Sequence, residues 1–446
     1  MEQKHLFSNK MLKSILVPVI LEQLLNSFMG TADTMMVSNV GSAAISAVSL
    51  VDSINVLLIQ AFSALAAGGT IICAQYMGQR NYERANKSAR QVLFIILSIS
   101  AAVTILCLLF KDPLLHFIFG KVDADVMEAS SVYFLFSAAS YPFIALYDSG
   151  ASIFRAQENT KGPLIISVIS NVMNIVGNAI LIWGFHMGVA GAAIATLVSR
   201  IFCAVVVLWQ LRKDRQPIVV RDYLKIRPDR KLIGRILGLG IPSGIENSMF
   251  QLGKLAIQST VSTLGTTAIA AQAMTNNLEM LNGTAAMGVG IGLMTIVGEC
   301  IGAGREDEAV YYVKKLSCVA EMIIIGCCLL VFALTKPITM LGGMEPESAR
   351  MCFQMMAWIT VVKPLVWVAS FIPAYGMRAA GDVRFSMITS CVSMWVFRFC
   401  LCVFLIRVMG MGPLAVWFGM FTDWTIRGII FIWRFHSRKW LRHKVV

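Results

Sequence analysis

Residues 18–85 and 242–309 read as two copies of one segment, aligned without a gap at a constant offset of 224. Pro18 pairs with Pro242, Glu22 with Glu246, Val37-Ser38 with Val261-Ser262, Gly41 with Gly265, Gly68 with Gly292 and Gly78 with Gly302. Further on, Arg155-Ala156 matches Arg378-Ala379 at an offset of 223. A chain of two similar halves in tandem is restricted to a fold built twice. In a strongly apolar chain this pattern predicts a transporter whose site lies between two related bundles.

Hydrophobic residues make up 57% and charged residues 14% of the 446 residues, against roughly 45–50% and 25% in soluble domains. With a mean hydropathy of +0.71, the chain reads as all-α and polytopic, because a helix satisfies its own backbone hydrogen bonds in lipid. Long apolar runs, rather than short alternating segments, exclude a β-barrel. Membrane-length runs fall near residues 12–37, 45–76, 87–110, 127–150, 163–185 and 190–211, then 235–262, 269–298, 310–334, 348–377, 384–408 and 413–435. That is twelve transmembrane helices, six per half. An even number returns each half to its starting side, so two six-helix bundles are expected to relate by a pseudo-two-fold axis along the membrane normal. The expected division is an N-terminal bundle over 1–211, a basic linker over 212–231 and a C-terminal bundle over 232–446.

A net charge of +13 raises the question of nucleic acid. Its placement excludes that partner: most Lys and Arg fall in alternate loops, and Lys111, Lys121 and Lys336 are the few in the others. This is the positive-inside pattern of a multi-pass protein of the cytoplasmic membrane. It puts the N-terminus (Lys4, Lys10, Lys13) and the C-terminal Arg438-Lys439-Trp440-Leu441-Arg442 on the cytoplasmic side, with the linker resting against anionic lipid. The first apolar run lacks a cleavage site, so no signal peptide is expected. The eleven cysteines are scattered without metal-ligand spacing, and the five histidines sit at loops or ends. No Walker A segment, nucleophile elbow or HExxH is present, so neither an enzyme nor a cofactor is expected. Any pumping must then draw on an ion gradient.

Ionisable and amide groups inside the spans are the functional candidates, since burying them costs several kcal/mol unless they are paired or hydrated. In the first span Glu22, Asn26, Gly30 and Asp33 form one helical stripe above Pro18. Glu22 recurs as Glu246, as a paired structural carboxylate would, whereas Asp33 has Ile257 opposite it and is specific to the first half. Asp33 is a candidate for cation or proton binding. The fifth span carries Ser167, Asn171, Asn174 and Asn178 on one face, either a structural ladder or the wall of an ion site. Asp52 and Asn55 align with Asn276 and Glu279, so each half keeps one carboxylate and one amide but exchanges their places. In the seventh span Asn247, Gln251, Lys254 and Gln258 form a polar stripe. Lys254 is a mid-span cation, either substrate-facing or held in a buried pair with a carboxylate such as Glu279. Asn26, Asp52, Asn55, Asn247, Gln251, Lys254, Asn276 and Glu279 are the expected substrate-cavity residues. Asp423 and Arg427, four apart, read as a local ion pair. The glycines and alanines of spans two and eight read as close helix packing.

Thr31-Ala32-Asp33, Val37-Ser38-Asn39-Val40-Gly41 and Ala44-Ile45 resemble the first-helix signature of the multidrug and toxic compound extrusion (MATE) transporters. Gly240-Ile241-Pro242 and Leu264-Gly265 with Ala268-Ile269 look like the corresponding second-half pattern, and Gly298 with Gly302-Ala303-Gly304 also fits. The resemblance covers nearly the whole chain. It implies two bundles around a central cavity that alternates between outward- and inward-open states. It also implies antiport, in which Na⁺ or H⁺ enters while an organic, cationic and amphipathic compound leaves. Asp33 matches the first-helix aspartate of ion coupling and Asn174 a fifth-helix asparagine of the same site, with Asn178 beside it. A possible Na⁺ is thereby placed at Asp33 and Asn174. Two departures stand out. Asn178 occupies a position that is aspartate in the DinF-like branch, and the NorM-like carboxylates of helices seven and ten fall at Phe250 and Trp367. Only part of either coupling scheme carries over. The expected partners are small-molecule drugs or metabolites and membrane lipids, with the protein acting as a monomer. Rival readings are a lipid-linked oligosaccharide flippase of the same superfamily, which tends to have a strongly basic cavity, and a non-transporting receptor or scaffold, for which the duplication gives no reason.

Overall fold

The structure, a computed structural model, describes residues 5–443 and 445–446; Lys4 lies outside them. Helices occupy all twelve expected spans. In the first half they are α1 (Asn9–Ser38), α2 (Ser42–Gly78), α3 (Tyr82–Leu109), the short α4 (Lys111–Phe119), α5 (Ala124–Ala156), α6 (Lys161–Asn178) and α7 (Val189–Leu211). The second half has α8 (Arg230–Val261), α9 (Thr266–Gly302), α10 (Glu306–Leu341), α11 (Pro346–Ala379), α12 (Val383–Val392), α13 (Leu401–Arg407) and α14 (Leu414–His436). Two π-helical stretches are unmarked in the apolar pattern: Ala179–Gly184 extends α6, and Ser393–Cys400 joins α12 to α13. Eleven helical spans of the described residues are long and apolar enough to cross a membrane. Helix α8 is not among them, although it has 32 residues. Its polar stripe lowers its hydropathy.

By contacts the chain divides into two units: the described residues of Met1–Leu24 with Ile245–Val446, and Leu25–Gly244. Helices α1 and α8 thus each contribute a first part to one unit and a second part to the other. The two units repeat one packing order. In the unit of Leu25–Gly244, α5 is the hub, packed on α2, α3 and α7, with α6 on α7. In the other, α11 packs on α9, α10 and α14, and α14 on the π-helical stretch Ser393–Cys400.

Glycines set these helices close together. A Cβ on Gly68 of α2 would lie 3.0 Å from the backbone N of Gly240 and 3.1 Å from the carbonyl oxygen of Ile236, both in the first part of α8. The second unit repeats this contact in its own register. There a Cβ on Gly288 of α9 would lie 2.9 Å from the Cα of Ile20, and one on Gly292 would lie 2.5 Å from Cδ2 of Leu16. Small residues at such crossings let backbones touch where lipid gives no hydrophobic drive to association. Two other duplicated glycines have a different cause. Gly41 and Gly265 cap α2 and α9 with φ of 143° and 97°, a conformation that L side chains rarely adopt.

The linker is strapped to the unit of Leu25–Gly244. The Ile218 amide donates to Gln157 Oε1 at 3.0 Å and the Val219 amide to Asn86 Oδ1 at 2.7 Å. Gln91 donates to the Arg227 carbonyl and accepts from the Asp229 amide. The hydrogen-bonded Lys87 ammonium, 2.6 Å away, holds the Asp229 carboxyl below its usual range.

Gly68→Leu should lower stability by about 1–3 kcal/mol, because rigid backbone cannot yield to the new side chain. Gly234→Ala meets nothing within 4 Å and should cause no loss. Apparent melting temperatures in detergent check both.

Candidate functional site

The second part of α1 and the polar face of α6 meet inside the unit of Leu25–Gly244. Ser167, Asn171, Asn174 and Asn178 recur at helical spacing and so point one way. Ser167 Oγ donates to Asn26 Oδ1 at 2.9 Å, and Asn171 Nδ2 reaches the same oxygen at 3.4 Å. Two turns further along both helices, Asn178 Nδ2 donates to Asp33 Oδ1 at 2.8 Å and to Asn174 Oδ1 at 3.0 Å. Asn174 Nδ2 in turn donates to Thr196 Oγ1 of α7 at 3.2 Å. The three residues expected to form the coupling site, Asp33, Asn174 and Asn178, are therefore brought together. Asn178 is only 1% exposed, and its side-chain Oδ1, though buried, receives no hydrogen bond among the described residues. The π-helical stretch begins at the next residue, a distortion frequent at functional sites. Among the described residues no group of three His, Cys, Asp or Glu side chains is placed to hold a metal ion.

Asp52 and Asn55 separate in role. Asn55 is buried, and its amide is committed: Nδ2 donates to Asp52 at 3.1 Å and Ser137 at 3.3 Å, and Oδ1 accepts from Tyr141 at 2.7 Å. These bonds join α2 to α5. Asp52 remains half-buried and also receives the Tyr133 hydroxyl at 3.4 Å. Arg200 of α7 was not anticipated from the sequence. It donates to Ser140 Oγ at 2.6 Å, and its charge reaches both Asp33 and Asp52.

In the other unit Asn247 and Gln251 of α8 are half-buried, Lys254 is exposed, Asn276 of α9 is exposed and Glu279 is half-buried. Asn276 Oδ1 accepts from Gln272, which is itself held by the indole of Trp417 at 3.1 Å. The alternative of a Lys254–Glu279 pair is overturned. Glu279 pairs with Lys363 of α11 at 2.6 Å, and the same ammonium also donates to the Glu279 carbonyl at 3.1 Å and to Asn282 Oδ1. Lys363 is 0% exposed and needs this full set of acceptors, because an uncompensated buried charge is strongly destabilising. Gly283 makes the room: a Cβ there would sit 2.9 Å from the Lys363 Nζ.

The local pair of Asp423 and Arg427 is present at 2.9 Å, but Asp423 also binds Arg398 of the π-helical stretch at 2.6 Å and Ser393 Oγ. Glu246 pairs with Arg378 at 2.6 Å. Phe250 and Trp367, the two positions departing from the NorM-like carboxylates, present ring faces to cations instead. Phe250 lies 5.4 Å from Arg398 and 5.0 Å from Arg427, and Trp367 lies 5.4 Å from Lys363. Sequence reading passed over Lys363, Arg398 and Arg200. Each is an isolated cation within an apolar run, the signal that singled out Lys254.

Comparison with known proteins gives this arrangement a family. The MatE family profile matches residues 18–180 and again 242–404, two stretches displaced by the same offset as the duplication. An uncharacterized transporter of Bacillus subtilis, YisQ, is 27% identical over 441 residues, covering 96% of this chain and 94% of that protein. The probable multidrug resistance protein NorM of Thermotoga maritima is 23% identical, covering 98% and 94%. A crystal structure of MATE in complex with MaL6 superposes with a TM-score of 0.90 at 19% identity, over 96% of this chain and 97% of that one. At that identity the likeness shows the fold alone. With the family profile matching both halves, the chain belongs to the MATE family of multidrug efflux transporters.

Proposed function

We propose that this protein is a secondary antiporter of the cell membrane, exporting amphipathic organic compounds by alternating access as Na⁺ or H⁺ moves inward. The observation that carries this reading is the chain Asp33–Asn178–Asn174 with its unused buried carbonyl oxygen on Asn178. Hard cations take oxygen ligands, and a carboxylate beside an amide oxygen that lacks a donor supplies such ligands. The same carboxylate is also a proton acceptor. Asp33 and Asp52 are two acids within reach of one cation, Arg200, so an incoming positive charge offsets an excess negative one. The names of relatives such as the NorM of Thermotoga maritima, a probable multidrug resistance protein, support drugs or metabolites as cargo.

A ligand shifts a conformational equilibrium only by its differential affinity for the two states. The Asn178–Asp33 hydrogen bond ties α1 to α6, and loading Asp33 with a proton or cation weakens its hold on the Asn178 amide. That tie is the element an ion can bias. The basic linker and both termini are assigned to the cytoplasmic side, following the distribution of Lys and Arg.

Purified protein in proteoliposomes, given a fluorescent amphipathic dye and either a Na⁺ or a pH gradient alone, should move the dye uphill with at least one of them. At one proton per dye, a pH difference of one unit, about 1.4 kcal/mol, sustains a dye gradient of about tenfold. Transport indifferent to both gradients would sink the antiport reading. Asp33→Asn should abolish uphill movement while the protein still elutes as folded in gel filtration. Asn178→Ala should raise the half-saturating Na⁺ concentration about tenfold or more, because it removes the amide oxygen that would ligate the ion.

A further inference from the structure

Lys254 lies in the last third of α8, on the stripe that also carries Asn247, Gln251 and Gln258. It is exposed and makes no ion pair within 4 Å among the described residues. The neighbouring acids are already taken: Glu279 by Lys363, Asp423 by Arg398 and Arg427, and Glu246 by Arg378. Asp423 is shared by two guanidinium groups, so Arg398 and Arg427 together carry one positive charge more than that acid neutralises. Of the charges that reach Lys254, Arg398 repels it and Glu279 attracts it. Arg398 is 2% exposed, and its Nε has no hydrogen-bond partner among the described residues. The π-helical stretch bearing Arg398 packs on α8 beside Lys254, with Met394 against Gly253 and the guanidinium over the ring of Phe250.

A stripe of Asn, Gln and Lys turned to lipid would leave an unpaired charge in hydrocarbon, so this face belongs to water or to cargo. An ammonium flanked by amide donors and backed by an excess of positive charge repels a cation and suits an anion. We infer that Lys254, with Gln251 and Gln258 beside it, binds an anionic group of the transported molecule, a carboxylate, phosphate or sulfonate on an amphipathic compound. The inference rests on the transport reading above and names the substrate class at that site. It departs from the cationic cargo expected from sequence, because the acid that would have neutralised Lys254 is spent on Lys363. Lipid phosphate offers the same chemistry as a soluble anionic compound.

The test is equilibrium binding to the purified protein in detergent, followed by fluorescence anisotropy, with a rhodamine bearing a free carboxylate and with its methyl ester. Wild type should bind the carboxylate form about tenfold more tightly, the scale of one charge-assisted hydrogen bond. Lys254→Gln should bring that ratio to about one, and Lys254→Arg should keep it. Added phosphatidylglycerol distinguishes the two sources. Displacement of the dye from wild type identifies a lipid headgroup as the competing anion, and retention identifies a soluble compound; either agrees with the site. Equal affinities in wild type, no measurable binding of the carboxylate dye, or a preference that survives Lys254→Gln would each overturn the inference. Binding needs no gradient, so a failure of antiport in proteoliposomes leaves this result standing, and the reverse also holds.

Discussion

A charge set within apolar helices must bring a partner or stay in reach of water, and this requirement organises both units. Lys363 satisfies it with Glu279 and Asn282 in a notch left by Gly283. Asp423 satisfies it between two guanidinium groups, and Glu246 with Arg378. These pairs join neighbouring helices: α9 to α11, α14 to the π-helical stretch, and α8 to α11. Their contribution is one of position as much as of stability, since a buried ion pair gains little net energy over a well-packed apolar one. Among the described residues, they leave Asp33 with an amide partner but no ion pair, and Lys254 with neither.

The two units meet the same requirement with opposite excess. Beside Asp33 and Asp52 stands one arginine, whereas around Lys254 the cations outnumber the acids. The first setting suits a cation and the second an anion. This division follows from substitutions at duplicated positions, where Asp33 aligns with Ile257 and Lys254 with Gly30. Shared positions such as Gly41 and Gly265, or Gly68 and Gly292, hold backbone turns and helix crossings instead.

Much of the fold was legible along the chain. Membrane-length apolar runs fixed the spans to within a few residues, because lipid admits few alternatives to a continuous helix. The asparagine face of α6 and the stripe of α1 were legible for the same reason: helical spacing alone decides which side chains share a face. Partners across helices were not. Nothing in the spacing says that Glu279 takes Lys363 over Lys254, since the choice depends on which helix lies across from α9 and on the space at Gly283. The π-helical stretches left no mark in hydropathy, which is blind to one inserted residue, and one of them places Arg398 beside Asp423.

By itself the sequence determined a duplicated, all-helical membrane protein with one acid, Asp33, specific to its first half, because periodicity, apolar length and repetition are properties of the chain. Only the tertiary structure decided which unit each part of α1 and α8 joins and which ionisable side chains find partners. Those outcomes depend on contacts between residues far apart in sequence, where a glycine's missing side chain or a neighbour's reach selects one pairing over another.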